Sequence, residues 1–448
     1  MEYLNNSNQN SNKSIKLSLF GNIYGMGNKY FLEQIENKYN GDVKNLFAIL
    51  NSTEGIYICV IQDFLSNKTH IINDKLGLYP FYYYKNGNDF RYSDDLIKLG
   101  NTINKSFLNL ESILEIFQLG YITQNKTIIC QINKISPGSI LTFSDDKISE
   151  LNYYLLTENH LNGVSEIYDA FKNGIKKRYI GEKMYSDLSG GFDSRLIMLT
   201  MVKKLKLENT IYRTNKNYDE NDLEISKILA NKLNLNHLIY ENKDEINNEM
   251  YGFSGLCGGE LLGNSLMNCW FEYENIEDCL VNKSKLIRNK KLDYGIKSFV
   301  NHVLRSEINT VQGKSWLCPI NHFNSNLVFP FLDTDFLEKI VGLDTIKLKN
   351  YKTYKNIYKS NFPDFLDVKY TFNSEREGKE VSEDNFLYFK NYKLLKKDYL
   401  KLVIDNKKYF DNNYLGEFFN YKIIYKKPLE TYSVLNFIQN MNNLGGIK

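Results

Sequence analysis

The sequence is poor in the residues that cross-link, stiffen or metallate a chain: 6 Cys, 6 Pro, 2 Trp and 5 His among 448 residues. The cysteines stand at 59, 130, 257, 269, 279 and 318, with no C-x-x-C pair and no Cys/His cluster. That spacing supports neither a zinc site nor a disulfide framework, and a reducing cytoplasm fits it best. His70, His160, His237, His302 and His322 show no ligand spacing; His237 reads as a strand residue, and none is assigned a role. No window reaches the roughly 18 apolar residues of a membrane span, and the opening MEYLNNSNQNSNKS lacks the apolar core of a signal peptide, so a cytosolic protein is expected. An excess of one charge is missing too. With 56 Lys+Arg against 53 Asp+Glu, the net charge is +3 without blocks, which gives no basic surface for nucleic acid.

What is present is an ordinary globular composition, 42% hydrophobic and 24% charged, at a length that predicts two or three domains. The 34 Tyr and 27 Phe, beside abundant Asn and Lys, read as codon bias of an AT-rich genome. Residues 15–150 are rich in β-branched and aromatic runs broken by Asn, Gly and Asp, with a hairpin signal at Lys85-Asn-Gly-Asn-Asp89. After about 160, amphipathic helical patterns alternate with short apolar strands, which predicts a parallel α/β sheet. Beyond 265 helical, aromatic and Lys-rich segments dominate. The expected boundary lies near 155, giving domains 1–155 and 156–448.

The chemistry concentrates at Tyr185-Ser-Asp-Leu-Ser189-Gly190-Gly191-Phe192-Asp193-Ser194-Arg195, where a strand runs into a glycine turn and a helix begins at once. Backbone N–H groups of such a turn, with the positive end of the helix, bind an anion. The loop is not a Walker A motif and lacks G-x-G-x-x-G spacing. Asp193 between the hydroxyls of Ser189 and Ser194 suits a Mg²⁺ shared with phosphate oxygens; the plainer reading is a turn with ordinary helix caps.

Ser189 to Ser194 resembles the pyrophosphate loop of ATP pyrophosphatases, and its neighbours are similar to the synthetase domain of the asparagine synthetase superfamily, with β-lactam synthetases and lasso-peptide cyclases. Tyr218-Asp219-Glu-Asn-Asp222 and the helix after it resemble the second strand-helix-strand unit, whose first strand, ending near Thr214, approaches the adenine; Asp219 is equally suited to capping that helix. Ser254-Gly255-Leu256-Cys257-Gly258-Gly259-Glu260-Leu-Leu-Gly263 aligns on the family's second glycine loop. Val328 to Asp333 is similar to its Pro-Phe-Leu-Asp segment. Lys352 to Phe372 is similar to the stretch whose lysine, here Lys369, neutralises departing pyrophosphate. The resemblance implies ATP and Mg²⁺ as cofactors, with Asp193 and Lys369 catalytic. It places ATP and pyrophosphate on Ser189, Gly190, Gly191, Phe192, Asp193, Ser194, Thr214 and Gly255, and the metal on Asp193 and Glu260. Two positions depart from the family: Gly259 replaces a metal-binding Asp, and Leu256 replaces the residue that assists the amine step. Tyr218, Tyr251 and Glu224 are further pocket candidates.

Gly55 to Asp63, Asp74 to Tyr83, Tyr92 to Asp95 and Ser136-Pro-Gly138 resemble a class II glutamine amidotransferase domain. The implied fold is an N-terminal β-rich, Ntn-type domain, then a doubly wound parallel-sheet ATP-pyrophosphatase domain with a helical C-terminal part. Met1 is followed by Glu2, not by the nucleophilic cysteine, and the stretch before Gly21 is short. The expectation is therefore a truncated domain without glutaminase activity, acting as a scaffold. The expected reaction is adenylation of a carboxylate and displacement of AMP by an amine, on a peptide or natural-product substrate that supplies both groups. Ammonia-dependent amidation of an amino acid or sugar acid, and a degenerate nucleotide-binding or partner-binding protein, are the alternatives. No nucleic-acid or membrane partner is expected, and a homodimer or a biosynthetic partner protein is left open.

Overall fold

A computed structural model describes residues 8–11, 14–119, 122, 124–156, 163–181, 184–216, 220–241, 250–262, 326–341, 343 and 351–370. Six antiparallel strands form the first sheet: β1 (Asn8–Ser11), β2 (Ile15–Tyr24), β3 (Glu54–Asp63), β4 (Lys68–Asn73), β8 (Ser139–Ser144) and β9 (Lys147–Asn152), in that spatial order. A second, three-stranded sheet has β5 (Tyr82–Asn86) between β6 (Asp89–Ser93) and β7 (Ile132–Lys134). Side chains alternate across β3 as its period of two requires. Tyr57, Cys59 and Ile61 face a core with Phe31, Leu32 and Ile35 of α1 (Asn28–Lys38) and Leu50 of α2 (Phe47–Ser52). Ile58 and Val60 face Phe81, just before β5, and Phe90 and Tyr92 of β6. Burial on both faces explains why β3 reads as a continuous apolar run. The hairpin expected at 85–89 is present as β5 and β6. Among its described residues, the region expected to be β-rich also contains the α-helices α1, α2, α3 (Leu96–Asn101) and α4 (Leu110–Leu119).

The third sheet is wholly parallel. Its order is β12 (His237–Tyr240), β11 (Thr210–Asn215), β10 (Met184–Asp187), β13 (Tyr251–Phe253), β14 (Leu327–Val328). Helix α5 (Val164–Arg178) precedes β10, α6 (Phe192–Leu199) follows it and continues as a π-helical stretch to Leu205, and α7 (Glu220–Leu233) links β11 to β12. Further along lie α8 (Gly258–Leu262), α9 (Thr334–Ile340) and α10 (Lys352–Asn361). The chain runs outward from β10 through β11 and β12, then returns to build β13 and β14 on the other side. Strand order therefore reverses between β10 and β13, and in open α/β sheets the crevice beyond the carboxyl ends at such a point is where ligands bind.

The antiparallel sheets end at Asn152 and the parallel sheet begins at Met184, and their cores are continuous. Tyr24, Ile56, Leu76 and Leu78 pack in one cluster with Phe171, Leu196, Phe331 and Leu332. Ion pairs run through the same junction: Arg178 to Asp333 at 2.6 Å and to Glu54 at 3.6 Å, and Lys75 to Glu54 at 2.9 Å. Most of the expected helical part beyond 265 lies outside the described residues.

Candidate active site

The loop from Leu188 to Gly191 leaves β10 at the point where strand order reverses, and α6 begins at Phe192. Its donors are turned inward. The Ser189 N–H donates to Ser194 Oγ at 3.1 Å, the Gly191 N–H to Ser189 Oγ at 3.2 Å, and the Gly190 N–H to Asp222 Oδ1 at 2.8 Å. The two serine hydroxyl oxygens lie 2.8 Å apart. Thr214 is buried at the end of β11; its hydroxyl donates to the Leu188 carbonyl at 2.7 Å and sits 2.9 Å from His237 Nε2, which ties the loop to the sheet.

The second glycine loop is packed on the first. A Cβ on Gly255 would stand 3.0 Å from Asp193 Cβ and 3.1 Å from the Ser194 nitrogen. One on Gly258 would stand 2.7 Å from Asp193 Oδ1, Phe331 Cε2 and the Tyr354 hydroxyl alike. A side chain at Gly258 would thus force its neighbours to move, and one at Gly255 would sit at the limit of contact. Tyr354, fully buried on α10, donates its hydroxyl to Asp193 Oδ1. Phe192 turns its ring into an aromatic cluster, stacked on Tyr370 at 4.1 Å, Tyr351 at 5.1 Å and Tyr354 at 5.4 Å, while Tyr358 donates to its carbonyl at 2.8 Å. The Phe192 ring is a packing anchor here.

Arg195 joins the third piece. Its guanidinium is fully buried and donates to the carbonyls of Gly190 at 3.1 Å, Val368 at 3.0 Å and Lys369 at 2.6 Å, lying 3.9 Å from the centre of the Tyr370 ring. Burial pulls its pKa down, with Tyr358 and Tyr370 opposing, but an arginine stays charged. A fixed cation thus lies beside the loop, and it holds the Lys369 backbone next to Gly190; the Lys369 side chain is exposed. At the foot of the loop Arg213 pairs with Asp187 at 2.9 Å over the face of Tyr185. Burial raises the Asp187 pKa, with Arg213 opposing.

Ser189, Gly190, Gly191, Phe192, Asp193, Ser194, Thr214, Gly255 and the Lys369 backbone are therefore gathered in one place. Glu260 has its backbone in α8, but its side chain, like Tyr218 and Asp219, lies outside the described residues. Leu256 packs against the core beside Gly255, and Gly259 is buried. Tyr251 donates to Asn22 Oδ1 at 3.5 Å, toward the antiparallel sheets, and Glu224 is exposed on α7. Asp222, Tyr354, Arg195 and the Asp187–Arg213 pair had no assignment from sequence. Only Asp222, an acid in the first turn of a helix, carried a signal that could have found it.

Among the described residues no group of three His, Cys, Asp or Glu could hold a metal alone. Mg²⁺ at a nucleotide takes one or two carboxylates with the substrate's phosphates, and Asp193 meets that demand. A thiol nucleophile finds no support in Cys59 or Cys130: burial pushes the Cys59 thiol up to about 12 and raises Cys130 as well. No helix among the described residues is long and apolar enough to cross a membrane.

Comparison with known proteins matches residues 46–154 to a glutamine amidotransferase domain. An asparagine synthetase (glutamine-hydrolyzing) of Bacillus subtilis is 26% identical over 178 residues, 38% of this chain and 29% of that protein. A putative asparagine synthetase (glutamine-hydrolyzing) of Methanocaldococcus jannaschii is 31% identical over 169 residues, 35% of this chain and 30% of that protein. The alignments thus span less than a third of these relatives' length. Among solved structures, glutamine phosphoribosylpyrophosphate amidotransferase from B. subtilis matches at 12% identity and a TM-score of 0.20, covering 50% of this chain and 52% of that one. Over residues 46–154 the chain is similar to a glutamine amidotransferase domain, and over about a third of its length it is similar to asparagine synthetases.

Proposed function

We propose that the chain is an ATP-dependent ligase that adenylates a carboxylate, releases pyrophosphate and lets an amine displace AMP. The observation that carries this is the convergence at the reversal of strand order. The Ser189–Ser194 loop, the second glycine loop with Gly255 and Gly258 against Asp193, and Lys369 drawn in through Arg195 meet there. The substrate carboxylate attacks the α-phosphorus of ATP, the bond to the bridging oxygen breaks, and pyrophosphate leaves with the electron pair. Catalysis of that step is positioning and charge neutralisation. Arg195 supplies a fixed positive charge, Lys369 a movable one, and Asp193, oriented by Tyr354, is the side chain that would hold Mg²⁺. When bound, Mg²⁺ would neutralise charge on the phosphates. In the second step a neutral amine attacks the acyl carbon, the acyl–oxygen bond breaks and AMP leaves with its electron pair; because Leu256 offers no acceptor, the proton of the attacking nitrogen passes to water or to the departing phosphate. A substrate amine in a peptide or natural product is the proposed nucleophile.

The names of the synthetase relatives, with the amidotransferase match, support a second reading in which ammonia is the nucleophile. Carboxylate-dependent exchange of pyrophosphate into ATP tests the shared first step. Product analysis with glutamine, ammonium or no added amine separates the two readings. Asp193→Ala is expected to lower exchange by ~10²-fold or more while circular dichroism stays unchanged. Unchanged exchange in that variant would sink the loop assignment.

A further inference from the structure

The Gly190 N–H is buried in the loop and points at Asp222 Oδ1, 2.8 Å away. At that distance the N–H is satisfied by this carboxylate oxygen. Asp222 reaches it from the first turn of α7, across the gap between the ends of β10 and β11. An amide donor placed to meet an anion is thereby filled by an anion of the protein itself. The neighbouring donors, Ser189 and Gly191, are filled by neutral hydroxyls, which can rotate and act as donors in turn. A carboxylate cannot, and a phosphate oxygen brought to the same spot meets its negative charge.

We propose that Asp222 is an internal competitor for the phosphate cradle, a residue that sets how tightly the loop holds the polyphosphate. This rests on the reading of the loop as an ATP and pyrophosphate site. Entry of a phosphate oxygen at the Gly190 N–H requires the Asp222 carboxylate to swing out, and its return after the reaction helps to expel pyrophosphate. The residue is thus a determinant of affinity and product release, with no part in bond making.

Calorimetric titration of the full chain with inorganic pyrophosphate tests this. Asp222→Asn keeps an oxygen that can accept from Gly190 and removes the charge; Asp222→Ala removes both. Both variants are expected to bind pyrophosphate about fivefold to tenfold more tightly than the wild type. Glu208→Gln, the same charge change at an exposed position that has no place in the site, is expected to shift binding by less than about twofold. Weaker binding in Asp222→Ala with no change in Asp222→Asn would assign Asp222 a loop-holding role and overturn the proposal. So would Asp222 variants that match Glu208→Gln. Wild-type binding with unresponsive variants defeats this inference alone. A chain that binds no pyrophosphate in any form defeats the ATP reading and this inference with it.

Discussion

His70 on β4 is buried between two partners, with Nε2 3.0 Å from the Tyr39 hydroxyl and Nδ1 2.8 Å from Thr142 Oγ1. Tyr39 gives its own proton to Asp63 Oδ2 at 2.8 Å. Because Tyr39 donates to Asp63, Nε2–H donates to Tyr39, and in the neutral ring Thr142 donates to Nδ1. Burial, helped by Lys68 and opposed by Asp63, lowers the pKa of the ring to about 4, so it is neutral at pH 7. The unfolded chain takes up a proton near pH 6.5 that the folded chain refuses until about pH 4. Stability contributed by His70 is thus complete above pH 6.5 and declines as pH falls through that window. At about 1.4 kcal/mol per unit, the decline is on the order of 3 kcal/mol. Urea unfolding at pH 7 and pH 5 should show a clear drop for the wild type and a shallower one for His70→Asn. Parallel pH profiles would show that the histidine is not the group responsible.

At the scale of elements, the site depends on how closely α8, α10 and α6 approach one another. Gly258→Ala puts a Cβ within 2.7 Å of Asp193, Phe331 and Tyr354, the latter two fully buried, so the second glycine loop must retreat. The expected result is about 1–3 kcal/mol of destabilisation, typical of overpacking, with loss of pyrophosphate exchange. Tyr354→Phe keeps the ring stacked on Phe192 and removes the donor to Asp193. It should leave the melting temperature nearly unchanged and still lower exchange about tenfold or more; a variant with full activity would remove Tyr354 from the positioning of Asp193. Much of this arrangement was legible beforehand, because β10, its glycine turn and α6 are contiguous and their periodicity is strong. Other parts were not. The strands β13 and β14 have three and two residues, too few for a period to register. Helix α1 carries its core contacts at Phe31, Leu32 and Ile35 amid polar residues, inside a region dominated by β-branched runs. Asp222 and Tyr354 meet the loop from 32 and 161 residues away, contacts that sheet register and helix packing determine and local pattern does not reveal.

At the scale of the molecule, the amidotransferase-like sheets and the parallel sheet are joined by burial as well as by charge. Arg178, at the end of α5, is almost fully buried. It pairs with Asp333 and Glu54, donates to the Gly174 carbonyl at 3.1 Å and lies 4.9 Å from the centre of the Tyr24 ring. Burial would raise the Asp333 pKa, but Arg178 and Lys177 hold it below the ordinary carboxylate value. Asp333 caps α9 through the Phe336 N–H, and Phe331, two residues earlier, packs on Tyr354. The N-terminal domain is thereby connected, through Glu54, Arg178 and Asp333, to the residue that orients Asp193. Truncating Arg178 to alanine leaves Asp333 and Glu54 charged and buried with less compensation, a change that typically costs about 3–5 kcal/mol. Because Tyr24, Ile56, Leu76 and Leu78 share a core with α5 and α6, we propose that the two parts unfold together. Calorimetry of the full chain should show one transition that moves down as a whole in Arg178→Ala. Two transitions, with only one displaced, would mean that the first domain is an independent appendage and that its charge network does not support the site around Asp193.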